Sequence, residues 1–271
     1  MTQLFIETGK TNPQAWYRPT FSPEHGVYVV LLVSFLIGAA AAQNWTIATT
    51  LALVCAFCGF QAEHPLVLQI KQRRSLKLRF LFWGGVYAVI SGAIALYLYL
   101  NHPVLMWIYA GAIAALIVDA FSVFKREQKS VVNELITFAA VCLAAVFAYT
   151  ATTNTVSLSV IGLWALNTLF FSSSIFTVKL RKLKTSSLMP AVIYHAIATL
   201  VIFTLYWLGW LSSVTALAFG LALLKFALIA VNQQWYRTAK IQFVAILETS
   251  TALAFLLIVS LSILPAHLTM F

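Results

Sequence analysis

The chain has 271 residues, of which 62% are hydrophobic and only 9% charged, and it carries a net charge of +10. Soluble domains carry about a quarter charged residues, so an ordinary soluble domain is excluded. The cations stand within a few residues of apolar stretches, so the expected partners of this charge are membrane lipids and not nucleic acid.

The first 25 residues are mostly polar, contain Pro13, Pro19 and Pro23, and read as a cytoplasmic segment. A secretory signal opens on a short basic region, so the apolar run that follows is expected to be retained as a span. A spanning helix needs roughly 20 mostly apolar residues. Nine such windows are predicted as transmembrane helices: Gly26 to Ala42, Trp45 to Gln61, Phe80 to Leu100, Pro103 to Phe124, Asn133 to Ala151, Val156 to Thr177, Leu188 to Leu208, Trp210 to Val231 and Ala239 to Ile263. The expected fold is therefore all-α, one bundle over residues 26–263, with a short tail over 264–271.

All but one of the 17 Lys and Arg residues fall in the N-terminal segment or in alternate gaps between these windows, the exception being Lys225. Loops rich in Lys and Arg stay cytoplasmic, which predicts a multi-pass protein of the bacterial inner membrane with its N-terminus inside and its tail outside. The outer gaps are only a few residues long, so consecutive helices are expected to pack there as antiparallel hairpins. Cys55, Cys58 and Cys142 lie within spans and match no disulfide or zinc spacing. They read as small apolar packing residues.

Ionisable groups inside a bilayer are costly and usually face a cavity or a partner. Glu24-His25 opens span one and Glu63-His64 follows span two. If the two spans form a tight hairpin, two carboxylates and two imidazoles meet, a set suited to a divalent cation or to acid and base work. Asp119 sits about one and a half turns inside span four and is a further catalytic candidate, near Asn133 and Glu134 at the start of span five. At 1.5 Å per residue, Lys225 lies about 10 Å deep on span eight and Glu248 about 12 Å deep on span nine, which permits an ion pair. The polar end of span six, from Asn167 through Ser173 to the cation Lys179, faces the same side as Tyr194 and His195 of span seven. With Arg74 of the loop after span two, these are candidates for holding an anionic or amphipathic substrate. No phosphate-binding Gly loop, nucleophile elbow, His-Glu-x-x-His or dinucleotide fingerprint is present, which argues against ATP-driven transport and serine hydrolysis.

Pro23-Glu24-His25-Gly26, running into Val27 to Gly38, resembles the opening signature of the YwiC-like family of bacterial membrane proteins. The basic loop from Lys71 to Arg79, Asn133-Glu134, the serine-rich end of span six and Tyr194-His195 extend the resemblance over most of the chain. Arg18-Pro19-Thr20 and Glu248-Thr249 are more distantly similar to the UbiA superfamily of intramembrane prenyltransferases. That second likeness implies nine helices, a cytosol-facing cavity and a magnesium-held prenyl diphosphate. Its two aspartate-rich motifs are missing here: only Glu63-His64 follows span two, and no acid lies between Ser172 and Lys184. Asp119 and Glu134 would have to substitute for them, with loop cations taking the phosphates. The expected function is a divergent transferase acting on an isoprenoid or lipid-like substrate, with a small-solute transporter or a non-catalytic subunit of a respiratory or lipid-metabolism assembly as alternatives.

Overall fold

A computed structural model describes residues 17–23, 25–72, 76–181 and 187–264. Among these residues eleven helices follow in chain order: α1 (His25–Ala42), α2 (Ile47–Lys71), α3 (Leu78–Asn101), α4 (Leu105–Lys125), α5 (Val131–Thr153), α6 (Leu158–Lys179), α7 (Met189–Trp207), α8 (Ser213–Leu217), α9 (Gly220–Val231), α10 (Gln233–Thr238) and α11 (Ile241–Ile263). Among the described residues nine segments are long and apolar enough to span a membrane, with α8 and α9 together forming one of them.

The helix starts are set by short polar side chains that accept from otherwise unbonded first-turn amides. Thr46 and Thr49 bond reciprocally at the head of α2, while Ser130, Ser157 and Ser212 each accept from the amide three residues on. At the end away from the basic loops, α1 and α5 stop at Gln43 and Asn154, both left-handed at φ 55° and 57°. Gly209 at φ 76° turns the chain after α7.

The predicted end of span two needs correction. The helix does not stop at Gln61 but runs through Pro65 to Lys71, so Glu63 and His64 lie inside α2 and not on an exit loop. Proline removes one amide donor and crowds the preceding turn. Here its ring is accommodated by Gly84 of α3, where an added Cβ would meet Pro65 Cγ at 3.4 Å and Leu66 Cδ2 at 3.3 Å. The α8–α9 span departs from its expected regular helix. Phe219 and Leu221 donate to carbonyls three residues back at 3.1 Å, a tight 3₁₀ turn just before and across Gly220.

The hairpin expectation also fails where it mattered for the site. The α1 helix packs mainly on α5, α11 and α6 and touches α2 only slightly, while α3 packs on α2 and scarcely meets α4. The close approach is between α1 and α5, because Gly38 offers no side chain and lies against the Ala145 backbone. That pair is a spine between two apolar cores. One side holds Phe35 and Leu31 with Ala52, Leu98 and Ile108 of α2 to α4. The other holds Val33 and Ile37 with Phe170, Ile202, Ala222 and Phe255 of the second half. The described part of the N-terminal segment is pinned to this frame: the Arg79 guanidinium donates to the Arg18 and Pro19 carbonyls at 2.8 and 2.9 Å. Ser22 N donates to Gln61 Oε1 at 3.2 Å.

Candidate functional site

Counted at 1.5 Å per residue from the helix ends at the basic loops, Glu63, Asp119, Ser174, His195, Lys225 and Glu248 all lie about 8–12 Å inside. They form two groups, one on each side of the α1–α5 spine.

The first group borders a cavity of ≈ 460 Å³ between the α2–α3 pair and the α4–α5 pair. Small residues create it: Ala56 and Gly59 of α2, Ala112 and Ala115 of α4, Ala140 and Ala144 of α5. Glu63 and Asp119 line the end nearer the basic loops, and Tyr109 and Phe147 lie toward the other. Ile113 and Leu116 belong to the wall yet are exposed on the bundle surface, so the cavity opens sideways where α3 and α4 part. Asp119 is oriented by Asn133, whose amide nitrogen donates to Asp119 Oδ1 at 2.8 Å and to the Gln128 carbonyl at 3.3 Å. Asn133 is itself buried. Asn133→Leu is expected to destabilise the protein by about 1–3 kcal/mol by stripping the carboxylate of this donor, and thermal unfolding of the purified variant measures it.

Just past the end of α4, Arg126 and Lys129 line a second recess of ≈ 310 Å³ together with Lys71, the last residue of α2. All three are exposed, at the level where anionic headgroups gather around a bilayer.

The second group is closed. Lys225 is only 1% exposed, and its Nζ donates to Glu248 Oε2 at 2.8 Å and to Ser174 Oγ at 3.3 Å. Ser174 donates to the same carboxylate oxygen at 2.7 Å, and the Phe170 ring lies 5.8 Å from the ammonium. His195 stacks on Phe226 with ring centroids 4.3 Å apart, and its Nδ1–H donates to the Ala191 carbonyl at 2.7 Å. That bond fixes the tautomer and leaves Nε2 as an acceptor. The buried side chain of Asn167, the hydroxyl of Ser172, His195 Nε2 and Glu248 Oε1 have no hydrogen-bond partner among the described atoms. Arg181 closes the basic end over this group, donating to the Tyr236 and Ala239 carbonyls at 2.8 and 2.6 Å, while Arg237 returns a bond to Leu180 O at 3.1 Å. Burial, with the Glu248 charge adding to it, pushes the Tyr236 phenol up to about 12.

The remaining predicted residues are placed as follows. Glu24 and Arg74 lie outside the described residues. His25 is exposed at the first position of α1, and His64 is half-buried on α2 beside Glu63. Among the described residues, which do not include Glu24 of the expected quartet, no three His, Cys, Asp or Glu stand close enough to hold a metal. Glu134 pairs with Lys179, joining the start of α5 to the end of α6. The Ser173 hydroxyl donates within its own helix to Phe170 O at 2.6 Å, and Tyr194 donates to Leu169 O at 2.7 Å. Sequence reasoning missed the cavity wall. Its only trace was the recurrence of Ala and Gly three or four positions apart on α2, α4 and α5, which is also how helices ordinarily pack.

The sequence model of the YwiC-like protein family matches residues 21–149, from the segment before α1 almost to the end of α5. This stretch contains the cavity and every residue named on its wall. No curated protein and no solved structure matches the chain.

Proposed function

We propose that this YwiC-like integral membrane protein binds an amphipathic, isoprenoid- or lipid-like molecule in the cavity between α2–α3 and α4–α5. The observation that carries the reading is an apolar cavity open to the bilayer side with two carboxylates gathered at one level of its wall. Ligand sites are mostly apolar clefts of about 300–1,000 Å³ with a few convergent polar groups, and the volume falls in that range. A sideways mouth admits a ligand that is already dissolved in the membrane.

A transferase acting on such a ligand is the finer form of this proposal. It draws on the likeness to intramembrane prenyltransferases and on Glu63 and Asp119 sharing one cavity. Magnesium is commonly held by one or two carboxylates together with substrate phosphates. Those two side chains fit that role, with Asn133 holding Asp119 in place, and the ion would neutralise and orient a diphosphate.

Filling the cavity tests the binding proposal. Ala140 is half-buried on its wall, so Ala140→Phe should exclude the ligand while leaving both apolar cores intact. Native mass spectrometry from a mild detergent is expected to show a co-purified lipid-like mass on the wild type and at least a tenfold smaller fraction on the variant, with unchanged unfolding temperature. Equal occupancy of the two proteins, or none on either, would reject the cavity as a ligand site.

A further inference from the structure

We infer that the recess past the end of α4 is a phosphate-binding site in its own right, separate from the cavity. Its charge comes from two elements: Lys71 ends α2, while Arg126 and Lys129 stand on the connection to α5. Val123 and Gln128 complete the wall. Among the described residues none of the three cations is paired with a carboxylate, and Glu127, exposed beside Arg126, is not part of the wall. The C-termini of α2 and α4 border the recess and each brings a partial charge of about −0.5, which three full cations outweigh.

Orientation in the membrane accounts for cations at this end of the helices. It does not call for one of them to hold a strained backbone, and Arg126 does, at φ 65°. Its N–H donates to the Val123 carbonyl at 3.1 Å, and the Glu127 N–H donates to the Ser122 carbonyl at 2.8 Å. Those paired bonds close a helix C-terminus and usually have glycine at the left-handed position, where a Cβ is disfavoured. Here the position carries a guanidinium instead, and backbone strain of this kind gathers at ligand sites. The rest of the connection is fixed as well. The Ser130 N–H donates to the Glu127 carbonyl at 2.9 Å, Ser130 Oγ accepts from the Asn133 N–H at 3.2 Å, and the Gln128 carbonyl accepts from Asn133 Nδ2 at 3.3 Å. A planar guanidinium grips two phosphate oxygens at once and the lysines add point charges, so a preformed set of this composition suits a phosphate. The head of an anionic phospholipid and a free phosphate ion present the same chemistry to it.

Deuterated dioleoyl phosphatidate and dioleoyl phosphatidylcholine, added to the detergent-purified full chain and weighed by native mass spectrometry, test this, because the heavy isotope separates them from any co-purified lipid. The wild type is expected to retain phosphatidate over phosphatidylcholine, and Arg126→Gln/Lys129→Gln to retain about tenfold less of it, the scale for losing hydrogen bonds to a charged group. Lys77→Gln/Lys240→Gln removes the same charge at exposed positions off the recess and should keep the preference. Ala140→Phe, which fills the cavity, should keep it too. Arg126→Gly is expected to raise the unfolding temperature by relieving the left-handed backbone while weakening retention. An excess of inorganic phosphate assigns the source: displacement of the lipid shows that the ion alone suffices, and persistence shows that the head is held together with its chain. Equal retention of the two lipids by the wild type, equal losses in the two double variants, or undiminished retention by Arg126→Gly overturns the inference and leaves the cavity reading untouched. Loss of phosphatidate in Ala140→Phe also overturns it, by placing the lipid in the cavity.

Discussion

Lys225→Met is expected to cost the folded protein about 3–5 kcal/mol, the scale for removing one partner of a buried ion pair. The ammonium is almost fully enclosed and is held by Glu248 and Ser174. In the variant, Glu248 keeps the Ser174 hydroxyl, and its second oxygen has no hydrogen-bond partner among the described residues to compensate. The lost term is therefore the stranding of a carboxylate in an apolar surrounding, not the loss of one favourable contact. One further result follows from that cause. Lys225→Met/Glu248→Gln should recover most of the deficit, since it removes both charges at once. Chemical unfolding in mixed micelles at neutral pH reads all three proteins. A single variant as stable as the wild type at neutral pH would show that Lys225 and Glu248 do not depend on each other.

The Lys225–Glu248 pair also shows what a sequence can and cannot place. Depth along a helix follows from a fixed rise, so equal depths on adjacent spans could be read directly. Ser174 as the third member could not, because rotation of α6 about its axis depends on what the rest of its surface packs against. The nine spans were legible because hydropathy and length suffice to place them, and nine such segments stand among the described residues. The end of span two was placed short of Lys71 because Glu63 and His64 break the apolar run, while the room that Gly84 of α3 makes for Pro65 is a tertiary fact. The expected Glu-His quartet depended on span one packing against span two. That expectation weighed the short connection and not the faces, and the face of α1 carrying Gly38 is suited to α5. The cavity was the least legible feature. It exists because three helices turn small residues toward one place and because α3 and α4, joined by a short connection, diverge.

Gly38→Ala, the smallest change available at that position, is expected to be among the most damaging in the chain. An added Cβ would lie 2.0 Å from the Ala145 carbonyl oxygen, 2.6 Å from its carbonyl carbon and 2.7 Å from its Cα. All three are backbone atoms of a helix interior, so no rotamer change relieves the contact and α1 has to move away from α5. Overpacking of a buried site costs about 1–3 kcal/mol and occasionally more. The upper end is expected here, because the two apolar cores lie on either side of this one pair and both loosen when it separates. Gly26→Ala provides the opposing control on the same helix. A Cβ there meets nothing within 4 Å, and replacing glycine in a helix gains about 0.5–1 kcal/mol. The two substitutions are chemically identical, so opposite shifts in unfolding temperature would isolate the α1–α5 approach from any general effect of alanine. Equal shifts would mean that the helices separate without cost, and the spine would then not be what holds the two halves together.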